Sequence, residues 1–321
     1  IKRKGDTGIE ILRSVPGMPG MPEMHMNKYK YMGFILLQSV IYGFGNPLTK
    51  IAFKSITPFW SLSIRFTTAF LIFIIFFGRR IIESLKNVSP KVYLPASLCM
   101  AAAYISCNLA LNWTSATNVG FLMSLPVIFA PALAWLAYKV RYNLIHIPVQ
   151  IAVVIGLYLL CYDGSSFVFG KGEITALITA VSISGALVFG EESLKQLDAC
   201  IISAAQVGIT ALISLPCALI FESTAVLKQV TMPAWAVVLY LAVFCTNIAY
   251  MLQNSALKHI SASVVSMLQC TQPILTAIIS YLLLKEKLSM EGLIGAAIII
   301  ICIITENKIT SKEQHTVENV V

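Results

Sequence analysis

Polar side chains recur at helical spacing inside segments that are otherwise almost wholly apolar. Gln38, Tyr42, Asn46 and Thr49 stand three or four residues apart. Ser97, Tyr104, Asn108 and Asn112 follow at steps of seven and four. Further series are Thr175, Thr179 and Ser182; Asn247, Tyr250 and Asn254; and Ser266, Gln269, Thr276 and Ser280. Residues three and four apart share a helix face. In hydrocarbon an unsatisfied polar group costs several kcal/mol, so each stripe must face protein or water. Two readings follow. Asn, Gln and Ser can hydrogen-bond between helices, at about 0.6 kcal/mol each. Alternatively the five stripes converge on one cavity, with Tyr42, Asn46, Tyr104, Asn108, Ser182, Asn247, Tyr250, Asn254 and Gln269 as the candidates for contact with a solute. Tyr and Asn are neutral and offer donors, acceptors and an aromatic face. That chemistry suits a zwitterionic or neutral polar solute. It suits a phosphorylated one less, because phosphate calls for clustered Lys or Arg.

Arg65 is the clear charge within such a segment. It lies seven residues past Pro58, about 10 Å along a helix. As a clamp it would hold a carboxylate in the outer part of a cavity. As a snorkelling residue it would tilt toward the helix N-terminus and reach the surface. No Asp or Glu stands mid-segment to serve as a proton relay: Glu191 and Glu192 fall at a helix end, where they are expected to be solvated, and Glu286 in a loop. No buried carboxylate relay is therefore expected. The eight cysteines form no C-x-x-C pair and the four histidines are scattered, so neither a metal cluster nor a disulfide framework is expected. GSSFVFGKG at 164–172 has the wrong spacing for a phosphate loop, and Gly172 stands where Ser or Thr is required. No enzyme signature and no cofactor site emerges.

The elements that carry these residues follow from composition. Of 321 residues, 57% are apolar or aromatic and 12% are charged, with a mean hydropathy of +0.80. A soluble domain has roughly 25% charged residues, and a soluble fold this apolar would leave much of that surface in water. A bilayer removes the difficulty, and a crossing takes about 20 apolar residues. Ten candidate spans are predicted at 31–50, 59–77, 93–112, 118–138, 144–162, 173–191, 200–221, 233–254, 262–284 and 289–305. The fold class expected is therefore an all-α integral membrane protein of ten transmembrane helices. Residues 1–30 and 306–321 are expected to be tails. The first is basic and then rich in Pro, Gly and Met, lacks a signal-peptide core, and reads as disordered or as a gene-start artefact with Met24 or Met26 a credible initiator.

With the N-terminus inside, sixteen Lys and Arg fall on the inner side and six on the outer. This bias predicts cytoplasmic termini in a cell membrane, and places Trp60, Trp113 and Trp235 at the outer interface. The net charge of +8 is then mostly topology, and a nucleic-acid partner is not expected.

Residues 103–122 (AYISCNLALNWTSATNVGFL) and 249–268 (AYMLQNSALKHISASVVSML) are identical at nine of twenty positions at an ungapped offset of 146. The pairs include Tyr104 with Tyr250 and Asn108 with Asn254. The chain reads as two homologous five-span halves, 31–162 and 173–305. An odd number of spans forces the two into opposite orientations, with a substrate site expected at the midplane where they meet.

LKHISASVVSMLQCTQPILTAIISYLLLKEKLSMEGLIGAAIIIICII, its first-half counterpart ALNWTSATNVGFLMSLPVIFAPALAWL, and Ile64-Arg65-Phe66 in SIRFTTAFLIF together resemble the drug/metabolite transporter superfamily, specifically its ten-span EamA type. One departure is that Val140 stands where Glu286 carries the acid in the other half. The resemblance implies export or exchange of a small metabolite, such as an amino acid or its derivative. It also implies a central cavity that opens alternately to each side. The partners expected are that solute and the lipid bilayer; the sequence does not fix the oligomeric state, and a monomer is compatible with it. Multidrug efflux by the same fold is the alternative, and a membrane-embedded scaffold or enzyme is the rival class.

Overall fold

A computed structural model describes residues 21–114, 116–139, 143–161, 170–284 and 290–318, and among these no strand occurs. The helices in order are α1 Met21–Ala52, α2 Pro58–Lys86, α3 Pro90–Trp113, α4 Ala116–Leu122, α5 Pro126–Tyr138 and α6 Ile147–Cys161. They are followed by α7 Lys171–Ser193, α8 Ala199–Phe221, α9 Met232–Ala242, a π-helical turn Val243–Ile248, α10 Ala249–Leu257, α11 Ala262–Gln269, α12 Thr271–Leu284 and α13 Met290–Glu318. Among the described residues, seven segments are long and apolar enough to cross a membrane: 58–86, 90–113, 118–138, 171–193, 199–221, 232–257 and 262–279. Residues 144–160 form a shorter apolar helical stretch. The loop acid Glu286, its counterpart Val140, Ser115, most of the 164–172 loop, residues 1–20 and the last three residues lie outside the described residues.

Helix limits depart from the apolar windows in two ways. Helix α1 starts ten residues before the expected span and α13 runs on past residue 305, because hydropathy marks a crossing whereas a helix can continue into water. Conversely, the segments 118–138 and 262–284 are each broken in the middle. Pro126 starts α5, and without an N–H it cannot continue the helical ladder. The chain instead tightens through Ser124 N–H to Phe121 O and Leu125 N–H to Leu122 O, both 3.1 Å. Pro273 lies in the first turn of α12, just beyond the matching break at Cys270.

Each early helix packs along a late one: α3 along α7, α2 along α8 and α6 along α13. In a bilayer such approach rests on small residues rather than on hydrophobic exclusion. A Cβ on Gly185 of α7 would lie 2.7 Å from Cys99 Sγ on α3, and one on Gly208 of α8 2.7 Å from the Phe70 ring on α2. At α6 and α13 the neighbours are backbone: a Cβ on Gly295 would sit 2.4 Å from Gly156 O. The outward faces keep Leu71, Ile75, Phe76, Leu212 and Ile220 exposed, as a lipid-facing surface requires.

At the end of the bundle that holds the N-terminal part of α1, Arg80 of α2 pairs with Asp198 at 2.5 Å, and Lys258 approaches the same carboxylate at 3.3 Å. Arg80 first and then Lys258 hold the Asp198 carboxyl below its ordinary value of 3.8. A depressed folded-state pKa contributes stability that is full above the ordinary value and is lost as pH falls through the folded one. All three side chains are about half exposed, so an interaction on the order of 0.2–1 kcal/mol is expected. Asp198→Asn should therefore lower the melting temperature slightly at neutral pH and low salt. The gap from wild type should close in acid and at high salt, as followed by intrinsic fluorescence of the purified chain.

Candidate functional site

The two breaks, the π-turn and the C-terminal half of α1 enclose one central cavity. Helix α1 contributes Tyr42, Gly45, Asn46 and Thr49, and α2 contributes Arg65. From α3 come Met100 and Tyr104, from the first break Met123, Ser124 and Pro126, and from the second Ser266, Gln269, Gln272, Pro273 and Thr276. Leu241, Cys245 and Gln253 close the wall formed by α9, the π-turn and α10. The breaks serve this arrangement directly. Interrupted helices are tolerated at membrane depth only where they are buried in protein or line such a space. The cavity offers about 80 Å³ of water-accessible space, against the roughly 10–15 Å³ that one water needs. It therefore has room for a few waters or a small solute.

Arg65 dominates the electrostatics. It is 6% exposed, so it does not snorkel. Its Nε donates to Thr246 Oγ1 at 2.8 Å and its Nη2 to the Cys245 carbonyl at 3.3 Å. The guanidinium carbon lies 4.8 Å from the centroid of the Tyr104 ring and 5.2 Å from that of Phe66, a favourable position for a cation. No carboxylate pairs with it among the described residues, and none of the lining residues is acidic. A buried cation so placed is normally partnered, and the open side of this one faces the cavity.

The repeat places its paired tyrosines against each other. Tyr104 and Tyr250 meet with ring centroids 5.9 Å apart, and Phe66 touches both. The Tyr104 hydroxyl donates to that of Tyr42 at 3.2 Å. Three glutamines are joined beside the cavity, and two of them, Gln253 and Gln269, line it. Gln38 and Gln269 both donate to Gln253 Oε1, at 2.7 and 2.9 Å, which joins α1, α10 and α11.

Of the sequence candidates, Tyr42, Asn46, Arg65, Tyr104 and Gln269 line the cavity. Asn108, Ser182, Asn247, Tyr250 and Asn254 do not. Tyr250 is fully buried behind Tyr104. Asn247 is buried with neither amide atom hydrogen-bonded among the described residues, and Ser182 is half-buried. The two paired asparagines tie helices together. Asn108 donates to Pro58 O at 3.4 Å, while Asn254 donates to Ser203 Oγ and Gln206 Oε1, both at 2.9 Å. In each case the third helix of a repeat is fastened near the start of the second. Asn254→Ala should thus destabilise the fold by about 1–3 kcal/mol, the cost of a stranded buried polar group, seen as a lower melting temperature, and leave substrate affinity close to wild type in binding assays. The Ser280 side chain lies outside the described residues.

Gln253, Gln272 and Ser124 line the cavity and escaped the sequence reading. Gln253 stands three residues past Tyr250 and so shares its face, but the repeat drew attention to Asn254 instead. Ser124 belongs to a turn that apolar periodicity reads as continuous helix. Glu191 also departs from expectation. Its carboxylate accepts from the Ala262 amide at 2.7 Å and caps α11, whereas Glu192 pairs with Lys195 at the surface. At the opposite end of α7, buried Glu173 accepts from Thr114 Oγ1, Asn118 Nδ2 and the Gly170 amide, and so serves the start of α4.

The sequence model of the EamA-like transporter family matches residues 30–162 and again 170–305. An uncharacterized transporter of Archaeoglobus fulgidus is 26% identical over 297 residues, covering 92% of this chain and 90% of its own. The uncharacterized transporter YoaV of Bacillus subtilis is 24% identical over 283 residues, covering 84% of this chain and 94% of its own. A crystal structure of another protein shares the fold with a TM-score of 0.75 at 16% identity, covering 88% of this chain and 98% of that one.

Proposed function

The chain belongs to the EamA-like transporter family, and on that premise we propose that it is a secondary transporter that exports a small amino-acid-like metabolite across the cell membrane. Ten spans, in two inverted halves of residues 31–162 and 173–305 with both termini cytoplasmic, alternate the access of one shared cavity. The observation that carries the substrate class is Arg65, a buried cation that faces the cavity and has no carboxylate paired with it among the described residues. A solute carboxylate is its natural counter-ion. Gln269, Gln272, Asn46 and the Tyr42 and Tyr104 hydroxyls offer neutral partners for an amino group, while Met100, Met123 and Leu241 accept an apolar side chain. Alternating access would proceed by rocking of one half against the other around this site.

Multidrug efflux is less well supported. Many such compounds are organic cations, and Arg65, the one charge on the cavity wall among the described residues, repels them. A non-transporting scaffold would have no need of a lined polar cavity between two repeats. The test is an untargeted comparison of metabolites released by cells with and without the full chain. Selective accumulation outside of one or a few carboxylate-bearing solutes is expected. An unchanged profile, with the chain present in the membrane, would refute export.

A further inference from the structure

The amide of Ala249 donates to the Phe244 and Thr246 carbonyls, and so passes over Cys245, the partner four residues back that an α-helix would use. The Cys245 carbonyl accepts from Arg65 Nη2. Thr246 Oγ1 lies 2.9 Å from Leu241 O, five residues earlier, and gives its single proton there. Its lone pairs are then left to accept from Arg65 Nε at 2.8 Å. Hydroxyl polarity and the widened turn thus act together. A π-turn inside an α-helix is uncommon and tends to mark a functional site.

We propose that Thr246, within the π-turn Val243–Ile248, is the residue that positions Arg65 for carboxylate recognition. This inference rests on the reading of the cavity as the site for a carboxylate-bearing solute. Two of the five N–H donors of the guanidinium are engaged by the π-turn. The others stay available to a ligand, in a plane fixed by those two bonds and by the Tyr104 and Phe66 rings. A bidentate grip on a carboxylate demands that plane. Thr246→Val would keep the shape of threonine and lose the hydroxyl's two bonds, to Leu241 O and from Arg65 Nε, so that the Cys245 carbonyl alone of the π-turn would still hold the fork. Serine would keep both bonds.

The experiment uses the full chain in sealed proteoliposomes loaded with a mixture of the twenty common L-amino acids, or with a mixture of their carboxamides. Efflux is read by mass spectrometry. Wild type should release at least one amino acid in preference to its amide. Thr246→Val should cut that preference by about ten-fold or more, the scale of one hydrogen bond to a charged group, and Thr246→Ser should restore it. Wild-type preference in Thr246→Val, alongside its loss in Arg65→Ala, would overturn the positioning role and leave the carboxylate site standing. A chain that releases none of the amino acids, or releases acids and amides alike, would overturn that site and with it the role of Thr246. If Thr246→Val does not fold, Thr246→Ala and Thr246→Ser are compared. Equal acid preference in those two would equally overturn the proposal.

Discussion

Arg65→Ala should abolish transport of the carboxylate solute while the chain remains folded in the membrane. The size of the effect follows from what the side chain does. Each hydrogen bond to a charged group contributes about 1.5–3 kcal/mol, and a bidentate carboxylate grip uses two. At about 1.4 kcal/mol per ten-fold, the expected loss is on the order of 100-fold or more in affinity. Truncation also removes the donors to the Thr246 hydroxyl and the Cys245 carbonyl; the hydroxyl keeps its bond to Leu241 O and Cys245 lines the cavity, so the cost in stability should be smaller than the cost in transport. Arg65→Lys should recover only part of the activity, because an ammonium is a point charge without the planar fork. Flux into proteoliposomes, normalised to monodisperse protein by size-exclusion chromatography, separates the two effects. Wild-type flux in Arg65→Ala would show that Arg65 is a packing residue.

Gly295→Leu should prevent formation of the folded bundle. A Cβ at 295 would lie 2.4 Å from Gly156 O and 2.5 Å from Leu160 N. These are backbone atoms of α6, which cannot rotate aside as a side chain can. Overpacking of a well-packed site costs about 1–3 kcal/mol and occasionally more, and here the crossing of α6 and α13 must widen along its length. Gly156→Ala should be milder, since its Cβ would meet the Gly295 carbonyl at 3.0 Å and the Ile299 and Ile298 side chains at 3.0 and 3.1 Å. Melting temperature and the monodisperse fraction after extraction measure both variants. The order wild type, Gly156→Ala, Gly295→Leu is expected. Equal stability of Gly295→Leu and wild type would disprove the close crossing.

The sequence made the membrane character and the repeat legible for clear physical reasons. An apolar segment of about 20 residues has few alternatives to a crossing, and paired Tyr and Asn at one offset are hard to obtain from shared greasiness. The breaks at Ser124 and Cys270 were less visible. Membrane helices tolerate Pro, so Pro126 and Pro273 alone do not reveal whether a helix kinks or stops. The π-turn carries no proline or glycine signal at all. The roles of Asn108 and Asn254 were hidden for another reason: a polar face on a helix shows that something polar must be met, but not whether it is solute or neighbour. Both turned toward the second helix of their own repeat. Arg65 was the reverse case, since two bonds to the π-turn hold inside the protein a side chain whose length would also have allowed it to reach the surface.

The central claim is that this chain alone moves a carboxylate-bearing solute through the cavity at Arg65. Its most direct measurement is uptake of the exported metabolite into sealed proteoliposomes that contain only the purified full chain and no nucleotide. Saturable uptake that runs down the solute gradient, competes with unlabelled solute and disappears in Arg65→Ala is the expected result. Uptake no faster than in protein-free liposomes, or uptake that is indifferent to Arg65→Ala, would contradict it.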